Sequence, residues 1–148
     1  MNSKIIDELN TLLKGEYMGI DSYEKFIQKV QNKHVKHELQ NIQKDHKNHA
    51  IKIAERIQDL GGEPVNGVGF IGKIAEVASN IKNINKKSDI EILKQAYDGE
   101  DFGIRMATEV VKGDLDGNSA VLVKEMLNED RNHLDTLNNL IREVGNVQ

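Results

Sequence analysis

Two histidines lie on the face of a predicted helix where apolar residues are expected. In the segment KDHKNHAIKI, at positions 44–53, His46 and His49 are three residues apart, a spacing that puts two side chains on one face of an α-helix. The face follows steps of about three and four residues, as in helices that pack together in a bundle. Its members are Leu39, Ile42, His46, His49, Ile53 and Leu60. A buried imidazole needs a polar partner or a metal ion. The rest of the chain must supply the polar partners or the further metal ligands.

The segment before these histidines predicts a first long helix. It is expected over Ser3–Gln31 with Ser3 as its N-cap, and its apolar face contains one acid, Glu16. The members of that face are Ile6, Leu9, Leu13, Glu16, Ile20, Tyr23, Ile27 and Val30. The periodicity breaks around residues 32–33, which leaves room only for a short turn. The second helix is therefore expected to return antiparallel to the first and to run to about Leu60.

A long connection follows the second helix. Gly61 and Gly62, with Pro64 just beyond, form a usual helix C-terminal signal. Apolar residues in Phe70–Ile84 then predict a short amphipathic helix within a crossover that ends near Lys87. A crossover of this length allows helices two and three to run parallel.

Two further helices complete the expected bundle. Residues 88–91 read as a capping box, Ser-Asp-Ile-Glu, which opens a third helix to about Lys112, and Glu100 is the single ionic residue on its apolar face. Asn118 or Ser119 is expected to cap a fourth helix that ends at Gly145. We therefore expect one domain over residues 1–148, an all-α four-helix bundle.

Each of the four helices carries buried-face ionisable groups near its midpoint. The six groups are Glu16, His46, His49, Glu100, Asp130 and His133. Midpoints of similar helices meet at one level whichever way each helix runs, and an offset of a few residues amounts to only about 3–5 Å. The six groups are therefore predicted to converge on one spot in the core.

The chemistry of that spot leaves two alternatives. A hydrogen-bonded network of carboxylates and imidazoles would satisfy the buried groups, and so would one or two divalent cations. The chain has no Cys, which excludes disulfides and thiolate-held zinc or iron–sulfur sites. Carboxylate and imidazole ligands suit iron, manganese or zinc.

Four segments resemble the ferritin-like superfamily over essentially the full chain. They are LNTLLKGEYMGIDSY around Glu16, HAIKIAERIQDLGGEP from His49, YDGEDFGI around Glu100 and EDRNHLDTL around His133. The tighter resemblance is to a family of uncharacterised bacterial ferritin-like four-helix bundles whose third helix carries a similar Gly-Glu-Asp. It implies a ferritin-like bundle with a di-iron carboxylate site.

The sequence departs from that resemblance at two of the implied ligands. Ferritin-like bundles use Glu-x-x-His on helices two and four, and here the pairs are His46-x-x-His49 and Asp130-x-x-His133. The two replaced Glu residues are the ones that bridge the metals. Asp45 or Glu129 is a candidate substitute, although both are one position off the buried face.

The resemblance implies a metalloprotein, most simply an iron protein with ferroxidase or oxidase activity in which dioxygen or peroxide oxidises Fe(II). Metal binding without turnover, for storage or stress protection, is a second hypothesis. A structural or partner-binding bundle with a hydrogen-bonded polar core is a third. Haem is not expected, because Met18, Met106 and Met126 are interpreted as core residues.

The remaining expectations concern partners and location. A net charge of −4 with interspersed basic residues argues against a nucleic-acid surface. No apolar run of about eighteen residues and no signal-peptide pattern occur, so no membrane contact and a cytoplasmic location are expected. Exposed helix faces are compatible with a homodimer or a higher homo-oligomer.

Overall fold

Four long helices account for nearly all of the chain that the structure, a computed structural model, describes: residues 2–67 and 87–146. They are α1 (Asn2–Lys29), α2 (Lys33–Asp59), α3 (Asp89–Lys112) and α4 (Gly117–Asn146). These ranges contain no strand. The short helix expected at 70–84 lies outside the described residues.

Contacts at the helix ends fix the direction of each helix. Asn2 at the start of α1 reaches the carbonyl of Leu60 after α2, so these two helices are antiparallel. The carboxylate of Asp89 accepts hydrogen bonds from the backbone N–H groups of Gln31 and Asn32, each at 2.9 Å. Helix α3 thus begins where α2 begins, and the two run parallel, as the length of the crossover suggested.

The four helices do not pack equally closely. Close contacts join α1 to α2 and α3 to α4, whereas the α1–α3 and α2–α4 faces make fewer contacts. The apolar core consists of two clusters, one toward each end of the bundle. The polar residues at mid-height lie between these clusters. No helix in the described ranges is long and apolar enough to cross a membrane.

Local signals explain most of the helix boundaries. The Asn32 side chain caps α2 by accepting from the N–H of Val35 at 3.0 Å, and Ser88 caps α3 by accepting from the N–H of Glu91 at 3.3 Å. Gly61 follows α2 with a φ of 83°, a left-handed conformation that favours glycine. The predicted end of α2 near Leu60 and the predicted start of α3 at Ser88 are thereby confirmed.

Two predicted caps are wrong. Ser3 lies inside α1, which begins at Asn2, and α4 begins at Gly117, so Asn118 and Ser119 lie within its first turn. Ser119 instead is buried and accepts a hydrogen bond from Arg56 at 3.0 Å. The hydroxyl that was predicted to cap the helix's own backbone is thus bound by a half-buried arginine on a neighbouring helix.

The buried faces are broader than a single line of apolar residues. Ile6 and Ile20 of α1 are only half-buried, while Ile5, Leu12 and Phe26 are buried. A straight α-helix drifts relative to a strict seven-residue repeat, so residues beside the predicted line also enter the core. The predicted face has the right orientation, but the buried surface of α1 includes residues on either side of it.

Candidate metal centre

All six ionisable groups predicted at mid-height are buried in one layer between the two apolar clusters. None exposes more than 8% of its surface, and His49 exposes 1%. The six are Glu16, His46, His49, Glu100, Asp130 and His133. The contacts described below join all of them, so the predicted convergence on one spot is confirmed.

His46 lies in the middle of this layer and bridges two carboxylates. Its Nδ1 lies 2.7 Å from Oε2 of Glu16, and its Nε2 lies 2.5 Å from Oε1 of Glu100. The ring of Tyr23 stacks on it with centroids 5.5 Å apart. Both nitrogens of His46 are therefore engaged by acids from two other helices.

His49 and His133 are held from outside by carboxylates of the facing helix. Nε2 of His49 lies 3.1 Å from Oε2 of Glu129, and Nε2 of His133 lies 2.7 Å from Oδ2 of Asp45. These contacts cross between α2 and α4 in opposite directions. Each one fixes the ring so that its other nitrogen, Nδ1, faces the interior of the site.

The inward-facing atoms lack hydrogen-bond partners among the described residues. They are Nδ1 of His49, Nδ1 of His133 and Oδ1 of Asp130. Oδ1 of Asp130 lies 3.8 Å from the first nitrogen and 3.4 Å from the second. A buried polar atom without a partner is costly, and here three such atoms face one another.

Two further carboxylate atoms complete the inner surface. Oε1 of Glu16 lies 3.4 Å from Nδ1 of His49, and Oε1 of Glu100 lies 3.4 Å from Nδ1 of His133. The arrangement thus has two halves, each with one Glu and one His, and Asp130 lies between them. Two groups of ligand atoms, each within 4.8 Å of one another, could hold an ion: His46, Glu100, Asp130 and His133; and Glu16, His46 and His49.

The pKa values reflect the competition between burial and pairing. Burial would lower the pKa of His46, but Glu100 and Glu16 outweigh it and raise that pKa well above its usual value. Burial likewise opposes protonation of His133, and Asp130 and Glu100 nonetheless raise its pKa to about 10. In the reverse sense, burial would raise the pKa of Glu100, yet the nearby histidines lower it to about 2.

The two remaining acids respond differently to their surroundings. Burial would raise the pKa of Glu16, but its contacts with His46 and His49 lower it. Burial is the larger effect at Asp130 and raises its pKa. These contacts therefore favour protonated imidazoles in the site without a metal, and a metal ion would have to displace some of their protons.

Tyr23 supports the site from the apolar side. Its hydroxyl donates a hydrogen bond to Oε1 of Glu100 at 2.8 Å, and its ring packs on Phe26 as well as on His46. Tyr23 therefore both packs in the core and forms a hydrogen bond to a candidate ligand. Tyr97 is half-buried and packs against the apolar cluster that contains Tyr23 and Phe26.

Sequence reasoning missed the role of Asp45 and Glu129. They were considered as replacement bridges inside the site, whereas the structure places them outside it, each on the outer nitrogen of a histidine. A signal was present, because each acid directly precedes an inner residue, His46 and Asp130, on the two helices that face each other. Equal offsets on facing helices put both acids at the rim of the same layer.

A family model for a domain of unknown function, DUF2383, matches residues 4–113. That is well over half of the chain. The chain belongs to the DUF2383 family. The match covers α1, α2 and α3 and ends before α4, the helix that carries Asp130 and His133. A search of curated proteins gave no match for this member of the DUF2383 family.

Three solved structures resemble this DUF2383 chain in fold. A two-domain protein of Anabaena variabilis with DJ-1/ThiJ/PfpI-like and ferritin-like domains has a TM-score of 0.81 at 18% identity, over 100% of this chain and 39% of that protein. The dodecameric thioferritin of Bacteroides fragilis, a bacterioferritin-related protein, has a TM-score of 0.79 at 19% identity, with 99% and 89% of the two chains covered. A ferritin-like, diiron-carboxylate protein of Bacillus anthracis has a TM-score of 0.67 at 22% identity, with 95% and 96% covered.

These likenesses show the fold of the DUF2383 chain, which is a ferritin-like four-helix bundle. The chain spans well under half of the Anabaena protein and nearly all of the other two. The buried cluster of imidazoles and carboxylates in this fold fits metal binding.

Proposed function

We propose that this DUF2383 protein binds metal ions in its buried layer and that iron is the metal. The observation that supports this most strongly is the set of three buried atoms without partners, from His49, His133 and Asp130. A layer whose role is only to hydrogen-bond internally would pair its inner atoms, as His46 does with Glu16 and Glu100. The inner nitrogens of the other two histidines make no such hydrogen bond, and they can bind a cation once they have lost their protons.

The spacing of the inner atoms suits one ion in each half of the site. Two ligand atoms bonded to one ion at about 2.0–2.2 Å lie roughly 3.0–3.4 Å apart when the angle between them is near 90–110°. The Glu–His pairs, Glu16 with His49 and Glu100 with His133, are 3.4 Å apart. We assign Glu16 and Glu100 as terminal ligands, Asp130 as the shared ligand, and the two histidines as nitrogen ligands.

His46 belongs to the same proposed site, but unlike the other two histidines it has both ring nitrogens hydrogen-bonded to carboxylates. Both of its nitrogens contact carboxylates, and its pKa is raised well above the usual value against the effect of burial. It must lose a proton before it can ligate. The negative charges of the three carboxylates balance one divalent ion together with a protonated His46. With His46 neutral, they balance most of the charge of two divalent ions. One or two metals per chain are therefore compatible with the site.

The donor set admits iron and is compatible with an oxidation. Oxygen and nitrogen ligands without sulfur suit iron, manganese and zinc. With Fe(II) as substrate, two ions would each lose one electron, and dioxygen with two protons would become hydrogen peroxide. The diiron-carboxylate description of the Bacillus anthracis protein supports this choice. We propose a ferroxidase-like activity on this basis, and a homo-oligomer by analogy with the dodecameric relative.

A second candidate function is binding without turnover, for storage or stress protection. The observation that favours it is His46, which occupies the place of a bridging carboxylate and cannot bridge two metals as a carboxylate does. A site with one bridge, Asp130, holds two ions less firmly than a site with two. A third reading, a bundle with a purely structural polar core, is opposed by the unpartnered atoms.

Elemental analysis of protein purified without a chelating tag, followed by anaerobic Fe(II) titration and exposure to air, separates these functions. Metal at one or two per chain with oxidation of Fe(II) supports the ferroxidase activity. Metal binding without oxidation supports storage, and no metal under any condition leaves the structural bundle. His49→Ala is expected to abolish binding, because it removes an inner nitrogen.

The matched control is His37→Ala. His37 lies on the same helix as His49 and is exposed, so this variant should retain the full metal content. Equal metal contents in both variants and in the natural protein would refute the assignment of the layer as the binding site. Circular dichroism on each variant separates loss of a ligand from loss of the fold.

A further inference from the structure

A cleft between α1 and α3 leads from the surface to the polar layer. Its volume is about 630 Å³, within the range of small-molecule pockets. The walls are mainly apolar, and the polar residues at the floor belong to the buried layer, among them Glu16, His46 and Glu100. The cleft lies on one of the two helix faces that pack less closely.

Glycines keep this cleft open. Gly15 and Gly19 on α1 and Gly99 and Gly103 on α3 all line it, spaced four residues apart on each helix. A Cβ atom added at any of the four would meet nothing within 4 Å. The space is therefore empty because side chains are absent, and each glycine lowers helix stability relative to alanine.

Large apolar side chains surround the mouth. Met18, Phe102 and Met106 expose 37%, 59% and 39% of their surfaces and all line the cleft. Met18 and Met106 were predicted to fill the core, and that prediction is wrong because the glycines beside them leave a cleft where the core would close. In the described ranges, three of the five exposed large apolar side chains lie here.

The dimensions of the cleft indicate the shape of its ligand. Its lining extends from Thr11 to Phe26 on α1 and from Gln95 to Ala107 on α3, which corresponds to a length of roughly 20 Å. Spread over that length, the volume of 630 Å³ gives a mean cross-section of about 30 Å². A narrow, elongated molecule fits such a space better than a globular one.

The charge of the site indicates the chemistry of the ligand. The three carboxylates at the floor each lie within 4 Å of an imidazole nitrogen of the same layer, so the floor offers no uncompensated positive charge. An anionic head group buried there would lose its hydration without gaining an ion pair, whereas an uncharged head group avoids that cost. We propose that the α1–α3 cleft binds an uncharged single-chain lipid, of the long-chain alcohol class, with its hydrocarbon chain between the glycine-lined walls.

This binding does not require a metal ion. A chain in the cleft would lie against the proposed metal centre, so the same molecule is a candidate substrate, and that second step alone rests on the proposed function. The test therefore uses the full-length chain freed of metal, and the metal-binding capacity of the same preparation is measured separately. Failure of either proposal then leaves the other intact.

The test is displacement of N-phenyl-1-naphthylamine, an uncharged apolar fluorophore, by 1-dodecanol. We expect the natural protein to bind the fluorophore and 1-dodecanol to displace it. Dodecanoate should require concentrations at least about tenfold higher, because of its charge. The double variant Gly15→Leu with Gly103→Leu fills the cleft and should weaken both ligands at least about tenfold.

The control is Gly117→Leu, which adds the same side chain at the exposed start of α4, where a Cβ also meets nothing within 4 Å. It should bind as the natural protein does. The double variant should keep its helical circular dichroism and unfold at a higher temperature, since leucine favours helix over glycine. Lost binding in that variant is then a local effect of filling the cleft.

Two results would overturn the proposal. One is a folded natural protein that binds neither the fluorophore nor 1-dodecanol. If that protein is also dimeric by size exclusion and the double variant is monomeric, a second copy of the chain covers the cleft. The other is a folded double variant that binds both molecules as tightly as the natural protein.

Discussion

The polar layer is bounded differently on its two less closely packed faces. On the α2–α4 face, the half-exposed carboxylates of Asp45 and Glu129 hold the outer nitrogens of His133 and His49. On the α1–α3 face, glycines and apolar side chains leave a cleft. One face orients the candidate ligands and the other gives access to them. Substitutions on the first should change metal affinity, and substitutions on the second should change access while leaving metal affinity unaltered.

Asp130 lies between the two halves of the site, at the floor of the cleft, and its loss should have the largest effect. Its unpartnered Oδ1 lies within 4 Å of both inner nitrogens, so Asp130→Asn removes the charge shared by both halves of the site. We expect the affinity for Fe(II), measured by anaerobic titration, to fall by more than about 100-fold, beyond the cost of losing an outer partner. Asp135→Asn, at an exposed position of the same helix, is the control and should bind normally. Unchanged affinity in Asp130→Asn would remove this residue from the site.

Variants of the orienting face should have the next largest effect. Asp45→Asn and Glu129→Gln keep the size of each side chain and remove the charge that holds a histidine ring. Loss of such a partner costs about 10- to 100-fold in metal affinity. Asp98→Asn makes the same charge change on the side of the cleft and should leave affinity unaltered. Equal losses in all three variants would mean that net charge, and not orientation, governs binding.

The effect of pH on the free energy of unfolding should be smaller than the effects of these substitutions on metal affinity. The stability should fall on both the acidic and the alkaline side. The pKa of Glu100 is about 2 in the folded protein against 4.5 ordinarily, so its contribution to stability is present above pH 4.5 and is lost toward pH 2. The pKa of His133 is about 10 against 6.5, so its contribution is full below pH 6.5 and is lost toward pH 10.

Urea unfolding of metal-free protein should therefore show maximal stability between about pH 4.5 and 6.5, with at least about 1 kcal/mol lost by pH 9. Metal should restore stability on the alkaline side, because the inner nitrogens bind it only after losing their protons. A metal-free stability that rises steadily from pH 5 to 9 would contradict the pairing described for His133 and Glu100.

The sequence was sufficient to predict the layer because each helix has so few ionisable residues on its apolar face. Glu16 and Glu100 stood out as single interruptions of an apolar repeat, and the midpoint argument placed them at one height without knowledge of any contact. The fold followed from the same repeats, together with the glycines after α2 and the cap at Ser88. Both inferences depend on periodicity, which is a property of the local sequence.

The orientation of the rings and the existence of the cleft depend on contacts between helices, and these were not predictable. Which nitrogen of His49 faces inward is decided by Glu129, which is 80 positions away along the chain. The sequence does not show whether another helix fills the space beside Gly15 and Gly103. Ser119 was assigned to a cap for the same reason, because Arg56 competes for its hydroxyl from another helix.

The smallest predicted effect concerns the cleft face alone. Gly99→Ala adds a methyl group at a position in the interior of α3 where nothing lies within 4 Å, so it should raise the free energy of unfolding by about 0.5–1 kcal/mol through helix propensity. Fe(II) affinity should not change. Gly61→Ala is the matched contrast, because its φ of 83° disfavours alanine, and it should lower the free energy of unfolding by at least a similar amount. A Gly99→Ala variant that binds Fe(II) more weakly would show that the cleft face, too, helps to hold the ligands, and the contrast between the two faces would fail.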